Sequence, residues 1–146
     1  MIRVAIKSRP TRRTSAGMRT YARELIARLP RVAPDIVLVR RHAQLVHLPY
    51  LEAPPFVGRP YTAMVHDLIH LRFPRLFSRA TAAYWRLVAI PRYRGAVRLL
   101  VSDPRVAEDC VQYMGVERDR ITVVPLGYDD RVLHAERPGA AYPCPL

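Results

Sequence analysis

The chain has 146 residues, half of them apolar, which suits one domain with a sizeable core and excludes wholesale disorder. Lys and Arg number 24 against 12 acidic residues, a net charge of +12, and nearly all of the basic residues are arginine. Such a field attracts phosphate-bearing partners (nucleic acid, an anionic bilayer or a nucleotide-sugar), and charge alone does not choose among them.

The apolar stretches are short and cut by Arg, Pro or His, far below the ~20 residues of a membrane-spanning helix. MIRVAIKSRP holds no apolar segment of secretory length, so the expectation is a cytoplasmic protein. Cys110 and Cys144 lack metal-binding spacing and read as two free thiols in a reducing compartment.

In chain order, Ile2 to Ile6 reads as a first strand, followed by a polar loop from Lys7 to Ala16. Met18, Tyr21, Ala22, Leu25, Ile26 and Leu29 recur at helical spacing, and Pro30 and Pro34 are expected to stop that helix. Asp35 to Arg40 and Gln44 to Tyr50 are the next strands. The gap between them is too short for a crossover helix, so the sheet is expected to be irregular there or to have lost a helix.

A Pro-rich loop leads to a fourth strand, Tyr61 to Asp67, and LIHLRFPRLF forms a loop with at most one helical turn. Ser78 is the expected N-cap of a helix to about Ile90, which Pro91 ends or kinks. Val97 to Asp103 is a buried strand. Asp103-Pro104 starts a helix that Gly115 stops, and ITVVPLG is the last strand. The order β-α-β-β-β-α-β-α-β implies an α/β fold, a doubly wound, Rossmann-like and mostly parallel sheet with flanking helices. Ligands then sit beyond the carboxyl ends of the strands, just after Ile6, Val46, Val65, Val101 and Val124.

At those ends stand the candidate residues. Gly17 lies at the first helix start, where backbone N–H groups can approach a phosphate, with Arg12 and Arg13 adding charge; the alternative is an ordinary turn glycine. No G-x-G-x-x-G is present. His47 follows the third strand, and His66 and Asp67 end the fourth, so two histidines are expected to face one crevice. Each can donate to a hydroxyl or phosphate or take a proton, or can be a satisfied strand-end residue. Asp67 can also cap the next turn. His42, His70 and His134 show no pattern that carries chemistry, and a metal site lacks a third convergent ligand. Arg79, Arg86, Arg92, Arg94 and Arg98, interleaved with Tyr84, Trp85 and Tyr93, suit an anionic bilayer, a nucleic acid or a plain solvated face.

AGMRTYARELIARL after the first strand, then VHLPY, VHDLIHLRFPRLFS and VSDPRVAEDCVQYMGVERDRITVVPLGYD together resemble glycosyltransferase family 4, in order and spacing, from Ile2 to about Asp129. The combination of VHDL–x4–FP with GV–x3–RI–x–VVPLGYD carries the resemblance. It implies one half of a GT-B architecture, a Rossmann-like N-terminal domain over residues 1–129 with 130–146 as linker or truncated tail. It also implies retaining transfer from a nucleotide-sugar, which is co-substrate with no further cofactor, to a sugar or lipid-linked acceptor.

By the same resemblance Gly17 matches the loop residue near the donor diphosphate, and His66, with Asp67 beside it, the catalytic cleft. His47 and Tyr50 match the acceptor-side loop, Ser102 a serine after the buried strand, and Gly127 and Asp129 the interdomain hinge. The family's donor domain carries two glutamates eight positions apart, and Glu24, Glu52, Glu108, Glu117 and Glu136 contain no such pair. The expectation is therefore an acceptor half, inactive by itself, that pairs with a C-terminal donor domain in the same or another chain. Peripheral contact with the inner face of an anionic membrane is also expected. The alternative is a small basic nucleic-acid-binding or anionic-surface-binding protein without catalysis, but no helix-turn-helix, zinc or RNA-binding signature supports nucleic acid as partner.

Overall fold

The computed structural model describes residues 1–8, 14–51 and 58–127. Asp129, the segment 130–146, Arg12, Arg13 and His134 lie outside the described residues. Within them β1 (Ile2–Ile6), β2 (Ile36–Leu38), β3 (Leu45–Leu48), β4 (Tyr61–Val65), β5 (Arg98–Val101) and β6 (Ile121–Val123) form one sheet in the order β2-β1-β3-β4-β5-β6. Every pair is parallel. This is the doubly wound, Rossmann-like arrangement, and its switch point lies between β1 and β3.

The short link between β2 and β3 turns out to join strands that are not neighbours, since both flank β1. Leu38 and Leu45 are each in register with Val4, on its two sides. The chain therefore only steps sideways past β1, about 10 Å, and needs no helix to carry it back along the sheet. Val39 donates to the Val4 carbonyl at 2.9 Å and Gln44 to that of Arg3 at 2.8 Å, which pins the step at both ends.

One face of the sheet presents Val46, Leu48, Ala63, Val65, Leu99 and Val101 to the helices that follow β4 and β5, and Ala89, Tyr93, Ala107, Cys110 and Met114 close the core over them. On the other face stand Val4, His47 and Met64, by strand alternation. Here α1 (Ala16–Val32) packs along β2. Right-handed crossovers require this split, because β1 to β2 winds one way across the sheet and β4 to β6 the other.

Ser15 caps α1, its Oγ accepting from Met18 N at 3.2 Å. Pro30 sits inside the last turn and does not stop the helix; so near the end its missing N–H removes one bond, and the helix runs on to Val32. After β4 come one helical turn, α2 (Ile69–Arg72), and a 3-10 turn, Pro74–Leu76. Then α3 (Arg79–Tyr84), capped by Ser78, runs through a π-helical stretch, Trp85–Ala89, into α4 (Ile90–Gly95). Pro91 thus lies within a continuous helical run: the wider π turn absorbs the donor that proline lacks. The last helix, α5 (Pro104–Met114), starts where expected, with Asp103 accepting from Arg105 N at 2.8 Å, and stops at Gly115 in the left-handed conformation.

Candidate functional site

A cleft of about 690 Å³ opens at the carboxyl ends of β3 and β4. The first of these ends supplies Tyr50 and Leu51, the second His66, Asp67 and, in α2, His70. The N-terminal turn of α1 contributes Ser15 and Met18, and the run from α3 to α4 contributes Ser78, Thr81, Tyr84, Trp85 and Tyr93. The sheet topology puts these residues together, because β3 and β4 are neighbours and α1 begins beside the switch point.

Tyr50 is buried, and its hydroxyl shares a 2.6 Å hydrogen bond with Ser8 Oγ, tying the end of β3 to the end of β1 across the switch point. His66 packs edge-on to Tyr21, ring centres 5.2 Å apart, and its Nε2 lies 3.0 Å from the Pro49 carbonyl oxygen. A carbonyl only accepts, so Nε2 carries the proton, and in the neutral ring Nδ1 is left as an acceptor. Burial raises the Tyr21 phenol above its ordinary range. The Asp67 carboxylate is exposed and accepts from Ile69 N at 3.2 Å, so it holds the first turn of α2 while lining the cleft.

Of the remaining site residues read from sequence, Gly17 is the second residue of α1, two positions after its cap Ser15. Among the described residues nothing lies within 4 Å of where its Cβ would be, and its φ is not positive, so neither packing nor backbone demands glycine there. His47 is a residue of β3 and not of its end. It is 6% exposed and lies outside the cleft lining, with Nδ1 2.9 Å from Thr62 Oγ1 and Nε2 buried without a partner among the described residues. Burial, with a smaller contribution from His66, lowers its pKa to about 4, so the ring is neutral at pH 7. Ser102 and Gly127 follow β5 and β6, and neither lines the cleft.

His70 and Trp85 are cleft residues that the sequence reading did not place. His70 lies between Phe77, ring centres 4.2 Å apart, and Trp85, 5.1 Å away and nearly parallel. Its Nδ1 is buried and unpartnered among the described residues. The available signal was His70 at four positions after His66, one helical turn on, but α2 is too short to show a period.

Many arginines are occupied by the fold. Arg94 Nε donates to the Met114 carbonyl at the end of α5, and Arg120 donates to the carbonyls of Arg94 and Ala96 at the end of α4. Arg98 reaches Asp119 O at 3.0 Å, and Arg92 reaches Leu51 O at 3.2 Å. Guanidinium groups at helix C-termini satisfy orphan carbonyls and oppose the helix dipole. Part of the positive charge is thereby structural.

No helix among the described residues is long and apolar enough to cross a membrane, and no group of three His, Cys, Asp or Glu there could hold a metal ion.

A doubly wound parallel sheet with a cleft at the carboxyl ends of β3 and β4 is consistent with one half of a GT-B architecture. The chain belongs to glycosyltransferase family 4, whose family model matches residues 1–132. A search of curated proteins found no match.

Proposed function

We propose that this domain is the acceptor-binding half of a retaining glycosyltransferase, which moves a sugar from a nucleotide-sugar to a glycan or lipid-linked acceptor. Its donor-binding partner is a second domain, in the same or another chain. The observation that carries the reading is the cleft that gathers His66, Asp67 and the start of α1 at the carboxyl ends of the strands, in a chain of this family.

The chemistry needs a hydroxyl aimed at the anomeric carbon and a stabilised departing diphosphate. In this reading His66, its Nε2–H held by Pro49, offers Nδ1 to a hydroxyl of the transferred sugar or acceptor. The open backbone at Gly17 presents the positive end of α1 toward the diphosphate. The phosphate-binding groups of the donor side come from the partner domain, so the 146 residues by themselves turn over no nucleotide-sugar.

The test is transfer by the chain joined to its donor domain, with the product's anomeric configuration read by NMR. Retention is expected. His66→Ala lowers kcat about 100-fold with the circular dichroism spectrum unchanged. An inverted product overturns the retaining assignment, and turnover by the chain alone overturns the half-enzyme reading.

A further inference from the structure

The cleft at the carboxyl ends of β3 and β4 holds two imidazoles, and the proposed function uses one of them. His66 and His70 lie four positions apart, the first just after β4 and the second in α2, and both line the cleft. His66 gives its Nε2–H to the Pro49 carbonyl and keeps Nδ1 as an acceptor.

His70 is held differently, as one layer of an aromatic stack. Phe77 is 4.2 Å away, centre to centre, and tilted by 40°. Trp85 is 5.1 Å away at 23°, and Trp85 in turn stacks on Tyr93 at 6.2 Å. Within the stack Nδ1 is buried without a partner among the described residues. Nε2 has no hydrogen bond among them either, but it is open to solvent. A buried N–H without an acceptor is the rarer and costlier arrangement. In the neutral ring the proton therefore belongs on Nε2, where water or a ligand can accept it. His70 offers a donor where His66 offers an acceptor.

The charge of the cleft points to the same class of ligand. The chain has 24 Lys and Arg, yet among the described residues none lines this cleft, and Asp67 sets a carboxylate on its wall. A fully ionised anion would meet that carboxylate and would have no proton to give His66 Nδ1. An ammonium group has no lone pair to take a bond from His70. A hydroxyl both donates and accepts, so one sugar ring can serve both imidazoles through two of its hydroxyls. Met18, Leu51 and Tyr84 add surface for the C–H faces of such a ring.

We infer that His70 is a second hydroxyl-binding residue of this cleft, its Nε2–H donating to one hydroxyl of an uncharged sugar while another hydroxyl donates to His66 Nδ1. The inference rests on the reading of this cleft as the acceptor site. It makes the unit bound there a neutral sugar, held by two hydrogen bonds of opposite sense.

Ring-nitrogen NMR, with His70 assigned by its loss in His70→Gln, reads the tautomer directly. Recorded at about pH 8, it should find the His70 proton on Nε2, and a proton on Nδ1 overturns the inference. The purified chain is then titrated with methyl α-glucoside, methyl α-galactoside and methyl α-mannoside. Emission from Trp85, the chain's one tryptophan and a neighbour of His70, follows the binding. At least one glycoside is expected to bind, and inorganic phosphate is expected not to displace it. Binding of none, or displacement by phosphate, overturns the inference.

Two variants separate the donor from the stack. His70→Phe keeps an aromatic ring beside Phe77 and Trp85 and removes the N–H. His70→Gln gives up the ring and keeps an amide N–H at similar reach. By calorimetric titration, His70→Phe should weaken the glycoside about tenfold, and His70→Gln should stay within about threefold of the native chain. The opposite order would show that His70 serves only the stack. Should His70→Gln not fold, native affinity in His70→Phe still overturns the inference. In the chain joined to its donor domain, transfer with an unchanged KM in His70→Phe would sink the role of His70 and keep the transferase. Glycoside binding as expected, without transfer by the completed enzyme, would sink the transferase and keep the sugar site.

Discussion

His47 shows how one residue's burial changes its chemistry. It stands in the middle of a parallel sheet, bonded to Thr62 by one nitrogen and unpartnered at the other among the described residues. Desolvation disfavours the imidazolium, and the nearby His66 adds to the effect. Above pH 6.5 neither the folded nor the unfolded chain holds this proton. As the pH falls from 6.5 to about 4, the unfolded chain takes it up and the folded chain does not, so stability declines. The loss levels off below that, at about 3 kcal/mol. Urea midpoints measured between pH 7 and 4.5 should fall steeply for the native chain. In His47→Gln they should lose this component of the slope, and an unchanged slope would show that His47 is not the titrating group.

Cys110 follows the same logic with little functional reach. Burial, chiefly, pushes its thiol up to about 12, and it packs inside α5 as a small apolar group. The residue types of the site were visible in the sequence, but their accessibility was not. His47 and His66 look equivalent as strand-associated histidines, and only burial separates them.

At the scale of the element, local signals served well where they are short-range. Ser78 and Asp103 cap the helices they were expected to start, because a cap depends on a side chain and a backbone N–H two or three residues away, and Ser15, which the sequence reading left in a loop, caps α1 in the same way. Gly115 ends α5 at φ +63°, a conformation that costs an L residue about 1 kcal/mol. A Cβ there would also meet Arg94 Nη2 at 3.0 Å, a flexible tip that can give way. Gly115→Ala should therefore lower Tm by about 4 °C in thermal unfolding, and an unchanged Tm would refute the need for glycine.

Proline was less legible. Both Pro30 and Pro91 promise helix ends, yet each lies inside a helical run. The sequence shows the missing donor. It does not show that Pro30 falls in a last turn with one bond to lose, or that a π turn at Trp85–Ala89 takes up the strain before Pro91. That same π turn carries Trp85 into the cleft wall.

At the scale of the molecule, sheet and helices are locked by contacts distant in sequence. Tyr61 on β4 reaches over to α4, its hydroxyl donating to the Arg92 carbonyl at 2.6 Å, and Gly95 leaves room for it, since a Cβ would come within 2.6 Å of that oxygen. Gly95→Ala should destabilise the chain by about 2 kcal/mol through that clash and the disturbed bond. With Tyr61→Phe the oxygen is gone and the next ring atom is 3.7 Å away, so Gly95→Ala should be nearly neutral in that background. Additive losses in the double-mutant cycle would show that the two positions do not meet.

The sequence by itself determined the class of fold, the number and order of the main strands, the caps at Ser78 and Asp103 and the family, because periodicity, caps and motif spacing are local properties of the chain. It also pointed to the end of β4 as a place for chemistry, through the pairing of His66 and Asp67 after an apolar run. Only the tertiary structure decided that β2 and β3 lie on opposite sides of β1, that His47 is buried while His70 and Trp85 reach the cleft, and that Arg94, Arg98 and Arg120 bind carbonyls of other elements. These depend on register, on crossover handedness and on which face of the sheet a helix covers. They join residues tens of positions apart, and no local pattern records them.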